Sequence, residues 1–134
     1  MRAPSEAPRG RSWILVADAD HEVAEEISRH LNRQGFFSYA TSWGLRALAA
    51  VTASRPALAI VDVQLQDMTG HALVAGLRDL DARVPVVVMC ADDAPGHEVR
   101  AREAGIVYYA TKPLDLSRLA TVVKRATAEV SATS

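Results

Sequence analysis

Short apolar runs recurring between helix-length amphipathic stretches constrain this chain more than any other feature. The central run, Ala57–Val61, holds apolar residues without alternation and stops at a carboxylate, Asp62. Uninterrupted apolar runs of this length suit strands buried on both faces, as in a parallel sheet covered by helices. Asp62 then falls at the carboxyl end of a strand, where open α/β sheets form their ligand crevice. Turn-forming residues follow (Gln66, Asp67, Thr69, Gly70), and a helical pattern begins at about His71.

The other segments repeat this alternation. Trp13–Ala17 is a first buried run, ending at Asp18. A helix over about 21–34 places Val23, Ile27 and Leu31 on one face, with Asp20 as N-cap and Gly35 as its stop. Phe36–Ala40 is the second strand. Ser42 is placed to cap the next helix, whose Leu45, Leu48 and Val51 share a face, and Arg55-Pro56 ends it. The helix after Asp62 carries Leu73, Val74, Leu77 and Leu80. Pro85–Cys90 is the fourth strand, and a polar helix over about 94–104 follows, with Asp92 or Asp93 as cap and Gly105 as stop. Ile106–Ala110 is the fifth strand. A last helix from about Asp115 turns Leu119, Val122, Val123, Ala126 and Val130 inward. Strands alternating with helices in this way predict an α/β fold, a parallel five-stranded sheet wrapped on both faces. Residues 13–130 form this domain, 1–12 read as a flexible arm rich in Pro and Arg, and 131–134 as a short tail.

Composition excludes several classes. At 134 residues the chain suits one core, and 15 basic against 16 acidic residues leave no surplus to attract nucleic acid. A single cysteine, Cys90, forms no internal disulfide, in keeping with a reducing compartment. No apolar run approaches the roughly 20 residues that span a bilayer. The expected setting is the cytoplasm.

Right-handed crossovers bring all the strand ends to one edge. That edge collects Asp18 and Asp20, Asp62, Cys90 and Lys112. Two carboxylates about 5 Å apart repel by roughly 3 kcal/mol at an effective dielectric of about 20, so such a site needs cations. Lys112 supplies one charge and a hard divalent ion such as Mg²⁺ the rest. The combination suits phosphoryl chemistry, with Asp62, central and flanked, as nucleophile.

With these residues in place, the chain resembles the receiver domain of two-component response regulators over about Trp13–Glu129. The resemblance rests on ILVADAD, IVDVQLQDMTG, VVVMCA and YYATKP, in order and at domain spacing. It implies a flavodoxin-like αβα sandwich with strand order 2-1-3-4-5. It also implies phosphoryl transfer from a histidine kinase or phosphotransfer protein to Asp62 with Mg²⁺ bound. By the same likeness Asp18 is a metal-site acid, Lys112 the phosphoryl-contacting lysine, and Tyr109 the switch aromatic. Gln64 lends a backbone carbonyl to the metal, and its side chain and that of Asp92 lie where dephosphorylation is tuned. The implied partners include a downstream protein or output domain, with a homodimer also admitted. The implied chemistry is self-phosphorylation and autodephosphorylation, not enzymatic turnover.

Three positions depart from the family pattern. Ala19 stands where a second acid is usual, which predicts weaker Mg²⁺ binding, with Asp20 as the one nearby acid able to compensate. Cys90 replaces the switch Thr or Ser, and a thiol donates more weakly. Gln66 replaces a loop proline, a change expected to be neutral. Ala19 and Cys90 motivate an alternative reading, a receiver-like interaction module that works without phosphorylation. A haloacid-dehalogenase-type phosphatase, resembled by Asp18-Ala19-Asp20, lacks the expected acidic pair after the lysine. No Gly-rich dinucleotide fingerprint follows the first strand. Cys90 reads as a packing residue before a redox sensor. His71 and His97 read as surface residues, and Trp43 and Tyr108 as packing or partner-facing ones.

Overall fold

The computed structural model describes residues 12–91 and 95–133. Strands β1 (Trp13–Ala17), β2 (Phe37–Thr41), β3 (Leu58–Asp62), β4 (Val86–Cys90) and β5 (Tyr108–Thr111) alternate with helices α1 (His21–Arg33), α2 (Gly44–Ala53), α3 (Gly70–Leu80), α4 (Pro95–Glu103) and α5 (Leu116–Thr133). The strands form one sheet in the order β2-β1-β3-β4-β5, every neighbouring pair parallel. β1, β3 and β4 are buried at every residue, which is why their sequences run apolar without alternation.

Period-two geometry still divides those residues between two cores. Leu15, Ala59, Val61, Val86 and Val88 pack with Ala47 and Val51 of α2, Leu73, Val74 and Leu77 of α3, and Ala101 of α4. Ile14, Val16, Leu58, Ile60, Val87 and Met89 pack on the opposite face with Ile27 and Leu31 of α1 and Leu119 and Val123 of α5. The sheet is thus sandwiched, and its carboxyl edge is left open for the loops.

Several local expectations are revised. β2 begins and ends one residue later than its apolar run, at Phe37 and Thr41. β5 starts at Tyr108, because the chain leaves the positive-φ Gly105 and makes its first ladder bond only at Val107 N–H to Val86 O, 2.9 Å. In α2 the inward face is Gly44, Ala47 and Val51, and Leu45 is 67% exposed. Small residues face inward there because α2 lies close to α3, where Leu48 presses on Gly76. Leu80 closes α3 half exposed, beyond the reach of the core. Ser42 does not cap α2: the helix starts at Gly44, and Ser42 sits one residue too early. The cap comes from elsewhere. Asp67 Oδ1 accepts from Gly44 N–H at 2.6 Å and Oδ2 from Leu45 N–H at 3.0 Å. Asp92 and Asp93, expected to cap α4, lie outside the described residues, as does most of the N-terminal arm. α5 continues through Ser131 to Thr133, since no glycine or proline interrupts it.

Arg78 is a second feature hidden from sequence patterns. Its guanidinium donates to the carbonyls of Val84 at 2.5 Å, Gly105 at 3.2 Å and Ala104 at 3.3 Å. One side chain therefore ties the end of α3 to the approach to β4 and the turn after α4. Burial holds its pKa below the usual arginine value, while the planar fork keeps it charged. Arg78→Met should leave those carbonyls without their charged donor and lower stability by about 2–3 kcal/mol, read as a drop in the urea midpoint.

Candidate functional site

Asp62 closes β3 and is 5% exposed. Asp18 directly follows β1 and is 2% exposed, and the paired register of β1 and β3 brings both to one rim. Lys112 follows β5, with its N–H held by the Cys90 carbonyl at 3.0 Å and a cis peptide to Pro113 after it. Its ammonium donates to Asp18 Oδ2 at 2.5 Å and lies 2.9 Å from Asp62 Oδ1. The fold thus gathers three groups that are far apart in sequence. The Asp62 contact is an ion pair without hydrogen-bond alignment, so this buried oxygen has no donor aimed at it among the described residues. Its other oxygen accepts from Gln64 N–H at 2.9 Å, and Asp18 Oδ1 from Asp20 N–H at 2.9 Å.

Two buried carboxylates against one ammonium leave a net negative pocket. Burial raises the Asp18 pKa, opposed by the Lys112 hydrogen bond and assisted by the nearby Asp62 charge. For Lys112, burial alone would favour loss of the proton, but the hydrogen bond to Asp18, the close contact with Asp62 and the charges of both outweigh it and raise the pKa. The lysine is therefore held as a cation, and the site has room for more positive charge or for an anion carried with a cation.

The remaining candidate residues are placed as follows. Asp20 spends its carboxylate capping α1, accepting from Glu22 N–H at 3.0 Å and Val23 N–H at 3.4 Å. The Gln64 carbonyl accepts from Ala19 N–H at 3.0 Å, while its side-chain amide folds back onto Leu65 O at 3.1 Å. Cys90 is fully buried at the end of β4 and forms no disulfide. Tyr109 is half-buried on the core face shared with α2, α3 and α4, and Tyr108 packs on the opposite face. Trp43 is 44% exposed. Asp92 lies outside the described residues. Among the described residues no cluster of three or more His, Cys, Asp or Glu side chains is placed to hold a metal.

Gln66 makes two bonds that a proline in its place could not make. Its N–H, which a proline lacks, donates to Ser42 O at 2.9 Å, and its side-chain amide donates to Ala19 O at 2.8 Å. Together with Asp67 it stitches the loop after β3 to the loops after β1 and β2. No periodicity marks such loop-to-loop bonds, so only coordinates reveal them.

His71 and His97 are also brought together. His71 Nε2 and His97 Nδ1 are 3.2 Å apart, with ring planes within 16° and centroids 5.4 Å apart. Nitrogens that close at that centroid distance mean the rings meet end to end, sharing a proton between α3 and α4. Burial, then Arg100 and His97, lower the His71 pKa below its ordinary 6.5. A base with a lowered folded pKa binds its proton better when unfolded, so stability falls as pH drops through 6.5. The stability advantage of wild type over His71→Gln should therefore be largest above about pH 7 and shrink below it, measured by urea unfolding across pH.

A doubly wound 2-1-3-4-5 sheet with two buried acids and a lysine at its carboxyl edge places the chain in the flavodoxin-like fold class, with its polar site where such sheets form their ligand crevice. Within that class, this chain belongs to the response regulator receiver domain family, whose profile matches residues 14–124. It is 33% identical over 111 residues to the transcriptional regulatory protein PrrA of Mycobacterium tuberculosis, covering 83% of this chain and 48% of that protein. The chain thus spans about half the length of that relative. It is 25% identical over 112 residues to sporulation initiation phosphotransferase F of Bacillus subtilis, covering 84% of this chain and 90% of that one. A CheY-like receiver domain from Methanospirillum hungatei superposes with TM-score 0.86 at 21% identity, over 93% of this chain and all of that chain (100%). A Burkholderia pseudomallei response regulator, solved with a phosphorylated aspartic acid, calcium ion and citrate, gives TM-score 0.78 at 24% identity, over 91% and 72% of the two chains. These two structures support the fold.

Proposed function

We propose that this receiver domain accepts a phosphoryl group on Asp62 from the phosphohistidine of a histidine kinase or phosphotransfer protein. The observation that carries the reading is the Lys112 ammonium lying 2.5 Å from Asp18 and 2.9 Å from Asp62. An Asp62 oxygen attacks phosphorus as the P–N bond to the donor histidine breaks, and the histidine nitrogen keeps that electron pair. The product is an acyl phosphate on Asp62. Lys112 neutralises one of its oxygens, moving off Asp62 as the carboxylate charge is replaced by the phosphoryl charge. Burial around Asp62 keeps water sparse and the electrostatic contacts strong.

The residues present fit Mg²⁺. Asp62 Oδ1 is a buried oxygen with no aligned donor, Asp18 is a second acid, and the Gln64 carbonyl has a second lone pair beside its bond to Ala19. Few protein oxygens plus water is the pattern this ion takes. When bound, Mg²⁺ supplies charge neutralisation to the phosphoryl oxygens. With Ala19 carrying no carboxylate and Asp20 turned to capping, binding is expected to be weak.

The message leaves through the loops after β3 and β4 and the half-buried Tyr109, toward a downstream protein, an output domain or a second copy of the chain. Regulation in the cytoplasm fits such partners. Among the described residues no helix is long and apolar enough to cross a membrane. The domain is a phosphoryl carrier rather than a turnover enzyme. Beryllofluoride with Mg²⁺ should shift amide NMR signals of Asp62, Cys90, Tyr109 and Lys112. An unchanged spectrum would instead favour an interaction module independent of phosphorylation.

A further inference from the structure

A cavity of about 280 Å³ opens beside the acidic site and includes none of Asp18, Asp62 and Lys112 in its lining. It lies between the end of β2, the start of α2 and the loops after β1 and β3. Tyr39 and Trp43 supply its aromatic wall, and Ser42, Gln66, His21 and Arg46 its polar groups. No Asp or Glu lines it among the described residues.

Three observations fix the chemistry it would take. Arg46 is exposed at the cavity and makes no ion pair with a carboxylate among the described residues. His21, in contrast, pairs with Glu25 at 3.4 Å, so Arg46 is the uncompensated cation. Ser42 is only 7% exposed, and its hydroxyl is buried with no hydrogen-bond partner. A buried hydroxyl left unmatched costs stability, and native proteins seldom leave one without a compensating partner. Its neighbour Thr41 is satisfied, accepting from Trp43 N–H at 3.2 Å. Finally, Trp43 is held out of the core at the cavity mouth, whereas the other tryptophan, Trp13, is buried and bonded to Ser54.

We propose that this cavity binds a small planar organic anion. Its carboxylate or phosphate would pair with Arg46 and accept from the Ser42 hydroxyl once that hydroxyl, closed to solvent in this structure, turns toward the cavity, and its flat apolar body would rest against Tyr39 and Trp43. Arginine forks pair with such oxyanions, and aromatic walls suit flat ligands. The ligand would also touch Gln66 and Ala19, which connect it to the loops that carry Asp62 and Asp18. The binding itself does not depend on phosphoryl transfer.

The test is an NMR titration of the full chain with sodium benzoate, monitoring the Trp43 indole N–H and the amides of Ser42, Arg46 and Gln66. The proposal expects saturable shifts at these signals and none with benzylamine, the cation of the same shape. Arg46→Met should weaken benzoate binding by about tenfold or more. Ser42→Ala should weaken it too while leaving the unliganded protein as stable or more so, which separates ligand contact from structural damage. Equal binding of benzylamine, or of acetate and inorganic phosphate as tightly as benzoate, would overturn the proposal. So would undiminished binding in Arg46→Met, shifts confined to Asp18, Asp62 and Lys112, or no saturable shift at all.

Discussion

Phosphoryl incorporation should fall by about a thousandfold or more in Asp62→Asn, with the fold kept. The amide that replaces the carboxylate is neutral and a poor nucleophile toward phosphorus. Its carbonyl still accepts from Gln64 N–H, so the end of β3 keeps its present bond. Lys112 retains Asp18 as its partner at 2.5 Å, and the pocket passes from net negative to balanced. Removing one of two neighbouring buried acids relieves their repulsion while losing one lysine contact, and these effects oppose each other. Stability should therefore change by no more than about 1 kcal/mol. Time courses of phosphoryl incorporation, with urea curves on the same samples, separate lost chemistry from lost structure.

Gly70→Ala should be the most damaging single-methyl change near the site. A Cβ built at Gly70 would stand 2.0 Å from the Asp62 carbonyl oxygen, 2.8 Å from its carbon and 2.9 Å from Val63 Cα. Those atoms are backbone, so no side chain can swing aside. The approach is close because Gly70 N–H donates to Val63 O at 2.8 Å, folding the loop after β3 back on the strand that carries Asp62. Either the start of α3 moves or the end of β3 does, and both lie in the core. A loss of about 4 kcal/mol or more is expected, and the residual folded protein should have a displaced Asp62. At Gly44 the same addition meets Met68 Sδ at 2.3 Å, the far end of a flexible side chain. Gly44→Ala should accordingly cost much less, and thermal unfolding of the pair checks the contrast.

Much of this was legible in the residues. β1, β3 and β4 are buried on both faces, so their apolar runs marked them with boundaries correct to about a residue. The acids at Asp18 and Asp62 and the ammonium at Lys112 follow strands whose parallel order dictates a shared edge. Amphipathic period was less informative where two helices approach closely. In α2 the inward positions are filled by Gly44 and Ala47, small enough for contact with α3, so apolarity pointed to Leu45, which faces solvent. Loop chemistry was hidden for a different reason. Asp67 caps a helix that begins 23 positions earlier in sequence, and Gln66 reaches 47 positions back to Ala19. Arg78 likewise satisfies carbonyls that no local pattern connects. Such contacts depend on which loops the fold places side by side.

The most direct measurement is intact mass after incubation with acetyl phosphate and Mg²⁺, followed by peptide mapping. The account predicts one phosphoryl adduct per chain, labile to base as an acyl phosphate is, on the peptide containing Asp62. No adduct, or an adduct on another residue, would contradict it.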